Sequence, residues 1–361
     1  MIRAPKLREP AQDLLSRLTT TPDVFVQKLD LVRSAALLVG VREDEYRAAS
    51  FLDDRMLSDA MPRQWVGLKT LVDQTEQLEP GHPVHFIFHT GHVGSTLVSR
   101  LLDAIDGVFP LREPFVLRQI ADAHDVVESP ESFLSPQALD KILDVSLRLW
   151  SRGFAGTRTV IVKATSSAVR LAPAILQKSA QSRALCLNVG IETYIAALLA
   201  NPGTLGDLRG HAQERIRRLA GLGVNLQTPL YLMSPGQLAA MGWLVESWGQ
   251  HLALAAAPQR VIAADFDLLL KNFRDVLRQV LRHFALPHDD QTIALLESSH
   301  ALTRYSKAPQ HDYSPQVRAQ KLAESRARNS EEIRKGLRMI ERIAARHPVA
   351  SAVFGRSPRV F

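Results

Sequence analysis

Cysteine is almost absent from this 361-residue chain, with Cys186 its single thiol. A disulfide framework and a cysteine-based metal site are therefore excluded. A lone thiol within the apolar run 184–188 reads as buried and inert. No stretch approaches the roughly 20 apolar residues needed to cross a bilayer. The first residues, Met1-Ile-Arg-Ala-Pro-Lys-Leu-Arg, lack the apolar core of a secretory leader. The expectation is a cytoplasmic protein with no membrane segment. Internal repeats and low-complexity tracts are missing as well. Charge of one sign is not concentrated: 44 Lys and Arg face 37 Asp and Glu, a formal +7, and only the C-terminal third is locally basic. That balance argues against a nucleic-acid partner and leaves a weak preference for small anions. What is plentiful is core material. At 46% hydrophobic residues the chain is globular, long enough for one large α/β domain or two ordinary ones.

Residues 83–113 organise the rest. The apolar run 84–88 lies between Pro83 and a loop holding Gly91 and Gly94, as a buried strand does. Beyond the loop, Leu97, Val98, Leu101, Leu102 and Ile105 share one helical face. Strand, glycine loop and helix follow in order. At such a turn the first amides of the helix point outward at the positive end of its dipole. Gly91 and Gly94 let an anion approach the backbone, and Ser95 and Thr96 add hydroxyl donors. The stretch Gly91-His92-Val93-Gly94-Ser95-Thr96 therefore reads as a phosphate-binding loop.

A second short extended segment is expected at 108–114 and further short apolar strands at 159–163, 184–188 and 260–265, with helical segments between them. Strands alternating with helices imply an α/β fold: a P-loop-type, doubly wound parallel sheet of about five strands with helices on both faces. Residues 1–80 read as an N-terminal helical cap. Its stripes are Leu14, Leu15 and Leu18; then Phe25, Leu29, Val32 and Ala36, closed by Gly40; then Trp65, Leu68, Leu71 and Val72. The expected division is 1–80 helical region, 81–300 α/β domain, and 301–361 a loop and charged helix belonging to that domain.

A nucleotide triphosphatase loop needs Gly-Lys-Ser/Thr at its end, the lysine reaching the outer phosphates. Here Ser95 follows Gly94 directly, so the lysine is missing, and position 89 is histidine. His92-Val-Gly-Ser-Thr-Leu-Val-Ser-Arg-Leu-Leu instead resembles the 5′-phosphosulfate loop of the sulfotransferase family. Leu111-Arg-Glu-Pro114 is similar to the Arg-Glu-Pro segment of bacterial members. Ile161-Val-Lys163 with Ser166 and Ser167 looks like the strand leading to substrate contacts, and residues 260–269 look like the late strand before a long helix. The resemblance covers roughly 83–300, in the same order. Two departures stand out. His92 occupies the place of a Lys or Arg, and histidine is cationic only when protonated. Residues 188–200 contain no Lys, Arg or Ser where the family places an arginine and a serine on the 3′-phosphate.

The resemblance implies an enzyme that moves a sulfuryl group from 3′-phosphoadenosine 5′-phosphosulfate to a hydroxyl or amine of a small-molecule or peptide acceptor, without a metal. Residues 91–96 are the expected donor-binding loop. Glu113 is the candidate base, set beside apolar Pro114 and Phe115, and His92 and Lys163 are candidate cations. Arg112, Arg304, Lys307, His311 and Tyr313 are expected at the substrate or on a lid. Arg304, Lys307 or Arg318 would have to supply the missing phosphate clamp. The alternatives are another P-loop transferase, such as a phosphotransferase, or a non-catalytic nucleotide-binding protein of the same fold.

Overall fold

The computed structural model describes residues 13–201, 203–302 and 314–355. The expected α/β core is present. β4 (Val84–His89), β5 (Val108–Arg112), β6 (Thr159–Lys163), β7 (Ala184–Asn188) and β8 (Val261–Asp265) form a parallel sheet in the order β5-β6-β4-β7-β8, flanked by helices. All residues of β4 and β6 are buried, which is why these strands are apolar along their length rather than alternating. Pro110 is tolerated because β5 lies at the edge of the sheet. Among the described residues no helix is long and apolar enough to cross a membrane.

The chain divides into two compact units. Among the described residues, one comprises those at 13–84 and 106–160, the other those at 85–105 and 161–355.

In the first unit the expected all-helical N-terminal region is corrected. β1 (Val24–Asp30), β2 (Ala35–Gly40) and β3 (Arg63–Gly67) make a three-stranded antiparallel sheet. The spacing of Phe25, Leu29, Val32 and Ala36 imitates a helix, but a tight turn interrupts it. Ser34 has φ +50°, and Asp30 accepts the Arg33 amide at 2.9 Å, so the chain reverses after β1. Val32 sits on that turn, 72% exposed. Gly40 ends a strand and donates its amide to the Pro62 carbonyl. Only the helix Leu68–Thr75 survives from the third expected stripe. Phe25, Tyr46, Phe109 and Phe154 meet edge-to-face in the core of this unit.

In the second unit, β7 pairs with β4 on one side and β8 on the other, both parallel. The helix Pro235–Ala256 is buried over most of its surface. It crosses the helix Ser330–Ala344 so closely that a Cβ on Gly236 would meet the Glu332 carbonyl oxygen at 1.9 Å. The charged helix expected within 301–361 is two helices, Pro315–Arg328 and Ser330–Ala344, interrupted at Asn329.

Candidate functional site

The loop joins β4 to the helix Ser95–Asp103 in the second unit. Gly94 is the residue before the helix, in the left-handed conformation (φ +69°, ψ +14°), and no side chain caps the helix. Ser95 and Thr96 therefore do not act as the cap, and the first-turn amides keep their donor capacity. Ser95 and Thr96 are both buried. The Thr96 hydroxyl has no hydrogen-bond partner among the described residues. A buried, unmatched hydroxyl is costly unless a ligand or water completes it. His92 is exposed with φ +55°, and Val93 is wholly buried, anchoring the loop from below.

His89, the last residue of β4, holds the start of the loop. Its Nδ1 accepts the Gly91 amide at 3.0 Å, and its Nε2 lies 2.9 Å from the Ala164 carbonyl oxygen just beyond β6. Since Nδ1 accepts, the ring proton sits on Nε2 and donates to Ala164. The Gly91 amide is thereby already engaged. Gly91 contributes space instead: at φ +93°, its Cβ position lies 3.9 Å from both the Ser166 hydroxyl and the Tyr194 hydroxyl. His89 and Tyr194 were not singled out in the sequence. A histidine ending the strand immediately before the loop was the available signal for the first, and nothing marked the second.

Gly94 is held from the other side by Phe266, whose ring lies 2.1 Å from the position of a Cβ on Gly94. Asp265 does not project freely: it caps the helix Phe266–Lys271 by accepting the Leu268 amide at 3.0 Å. Burial raises its pKa. Asp267 pairs with Arg318 at 2.6 Å, and the Arg318 guanidinium lies 5.2 Å over the Phe266 ring. Lys163 ends β6 and is completely buried, not solvated as a strand-end lysine usually is. Arg304, Lys307, His311 and Tyr313 lie outside the described residues.

Arg112 and Glu113 belong to the first unit. Arg112 is fully buried and donates from Nη1 to the Arg47 and Ala49 carbonyls at 2.9 and 3.1 Å, which ties β5 to the end of the helix Glu43–Ala48. Glu113 is half-buried with φ +52°, directly before Pro114. A residue preceding proline is normally held in the extended region. This conformation is uncommon for any non-glycine residue and is the kind of local strain found at functional positions.

Among the described residues no group of three or more His, Cys, Asp or Glu side chains is placed to hold a metal ion. No protein-family model and no curated protein matches the chain. Solved structures do. A sulfotransferase domain from the curacin biosynthetic pathway aligns at 15% identity and TM-score 0.41, covering 70% of this chain and 99% of that one. A sulfotransferase domain from the Synechococcus PCC 7002 olefin synthase aligns at 17% and 0.38, covering 70% and 96%. A sulfotransferase from Mycobacterium avium aligns at 11% and 0.39, covering 90% and 98%.

Proposed function

We propose that this chain is a sulfotransferase-like enzyme whose loop at residues 91–96 holds the phosphosulfate end of 3′-phosphoadenosine 5′-phosphosulfate. The observation that carries this reading is the buried Thr96 hydroxyl, without a hydrogen-bond partner among the described residues, at an uncapped helix N-terminus directly after a left-handed glycine. Amides and hydroxyls are the donors an oxyanion needs. With Ser95 in the place of the P-loop lysine, a sulfuryl donor fits better than a nucleoside triphosphate.

In the proposed reaction the acceptor oxygen or nitrogen attacks sulfur, and the bond from sulfur to the bridging oxygen breaks. The electron pair stays on the leaving phosphate oxygen. The acceptor proton passes to the Glu113 carboxylate. The amides of residues 92–96, the Thr96 hydroxyl, Lys163 and protonated His92 offset charge on the leaving group. The acceptor is a small molecule or a peptide.

Thermal-shift titration without magnesium tests the reading. Stabilisation by adenosine 5′-phosphate and by adenosine 3′,5′-bisphosphate supports it. Stabilisation by ATP only when magnesium is present would favour a phosphotransferase. No response to any nucleotide would remove the loop as a nucleotide site. With an acceptor identified, Glu113→Gln should sharply slow transfer while leaving donor binding intact. Full activity would exclude Glu113 as the base.

A further inference from the structure

The strands β4, β7 and β8 lie side by side and end together: Thr90 directly follows β4, and Asn188 is opposite Asp265. On one side His89 holds the Gly91 amide; on the other Asp265 caps the helix that carries Phe266 against Gly94. Asn188 ends the strand between them. Its Oδ1 accepts the Val189 amide at 2.7 Å, Trp243 Nε1 at 3.1 Å and the Thr90 hydroxyl at 3.4 Å. Its Nδ2 donates to Ser247 Oγ at 3.0 Å and to Gln250 Oε1 at 3.2 Å. Gln250 Nε2 in turn donates to the Leu187 carbonyl at 2.9 Å, the same oxygen that takes the Thr90 amide at 3.2 Å.

The direction of every bond in this set is fixed. An indole N–H and a backbone amide only donate, so Asn188 must turn Oδ1 toward Trp243 and Val189. A backbone carbonyl only accepts, so Gln250 presents Nε2 to Leu187 and Oε1 to Asn188. The Thr90 hydroxyl, facing an acceptor, is the donor. Trp243, Ser247 and Gln250 follow one another at four and three residues along the helix Pro235–Ala256, hence on one face, and all three are buried. A polar network whose members are all satisfied is rigid, and it fixes whatever else it holds. What it holds here is Thr90, which is buried and whose amide and hydroxyl both end on β7. Thr90 directly precedes Gly91, so the loop starts from a point set by the long helix as well as by its own strand.

We propose that Asn188 is a positioning residue for the glycine loop. It fixes Thr90 against the helix Pro235–Ala256, and through Thr90 it sets the aim of the amides of residues 92–96. The proposal rests on the reading of that loop as the donor-binding site. The amide of Asn188 is engaged by the protein throughout, so it holds the loop rather than the ligand.

The test joins calorimetric titration of adenosine 5′-phosphate to amide hydrogen exchange at residues 91–96. Thr90→Val keeps the shape and leaves Asn188 Oδ1 its two N–H donors, so the fold is not at risk. It should weaken the nucleotide by about three- to tenfold and speed exchange at 91–96, with exchange in β7 and β8 unchanged. Thr90→Ser retains the hydroxyl and should restore both. Trp243→Phe removes a donor from Asn188. It should weaken binding in the otherwise wild-type protein and add nothing in the Thr90→Val background, although it lowers the urea midpoint in both. Wild-type affinity and wild-type loop exchange in Thr90→Val overturn the proposal. So does an equal loss of affinity from Trp243→Phe in the two backgrounds, because the network then does not act through Thr90. If the wild type fails to bind the nucleotide, the donor-site reading falls. Exchange at 91–96 in Thr90→Val then decides the positioning role alone: faster exchange supports it, and equal exchange overturns it.

Discussion

The ring of Phe266 lies 2.1 Å from where a Cβ on Gly94 would stand, and Gly94 has φ +69°. Two independent constraints therefore select glycine: the left-handed backbone and the lack of room. Phe266 is itself buried and cannot swing into solvent. Gly94→Ala should destabilise the protein by about 2–4 kcal/mol, from left-handed strain plus overpacking. Urea denaturation measures this. In the Phe266→Ala background the added penalty should shrink to the backbone part alone; an unchanged penalty would mean the ring is not the obstacle.

Thr96 separates binding from stability. Thr96→Val keeps the shape and removes a buried hydroxyl that has no hydrogen-bond partner among the described residues. Stability should stay level or rise by up to about 1 kcal/mol, while nucleotide affinity falls by roughly tenfold. Loss of stability with full affinity would place the hydroxyl in the protein's own hydrogen bonding rather than at a ligand.

His89 is expected to behave as a positioning residue. His89→Leu leaves the Gly91 amide and the Ala164 carbonyl unmatched. It should cost about 1–3 kcal/mol and weaken anion binding as the loop loosens. A glutamine side chain has an acceptor and a donor of its own. His89→Gln should restore much of both properties, and failure of any rescue would show that the ring's bulk matters rather than its two hydrogen bonds.

Acid should destabilise the second unit through two buried histidines. Burial pushes His85 down to about 4, helped by the charge of Arg183, and His283 likewise falls to about 4, chiefly through burial. Both rings pack on Phe284. An unfolded histidine titrates near 6.5, so between about pH 6.5 and 4 the unfolded chain binds protons that the folded chain refuses. Stability is fully present above that window and lost through it, by up to roughly 3 kcal/mol for His85. Glu214, held low against the effect of burial by His211, Arg170 and Arg218, adds a loss only at lower pH. Urea midpoints at pH 7 and 4.5 measure the slope. His85→Gln, which retains an acceptor for the Arg183 amide, should flatten it.

Some of this was legible without coordinates. The run 84–88 and the strands at 159–163 and 184–188 are apolar throughout because a parallel sheet is covered on both faces, and that leaves a local signature. Gly91, Gly94 and the stripe from Leu97 to Ile105 likewise declare a loop ahead of a helix. The N-terminal region failed for an equally local reason. Phe25, Leu29, Val32 and Ala36 satisfy a helical period, while the turn at Ser34 that separates two strands depends on one backbone angle and the Asp30 side chain.

The amino-acid order by itself determined the five-stranded core and the glycine loop between β4 and its helix, since both follow from neighbours within a few residues. Only the tertiary structure decided what surrounds that loop. Phe266 seals Gly94, the ring of His89 consumes the Gly91 amide, and Tyr194 and Ser166 flank Gly91 from separate segments. Arg170 and Arg218 share Glu214, Arg218 also holds Glu246, and Arg215 Nη1 is buried without a hydrogen-bond partner among the described residues. Burial and pairing between distant residues settle such matters, and no periodicity or spacing encodes them.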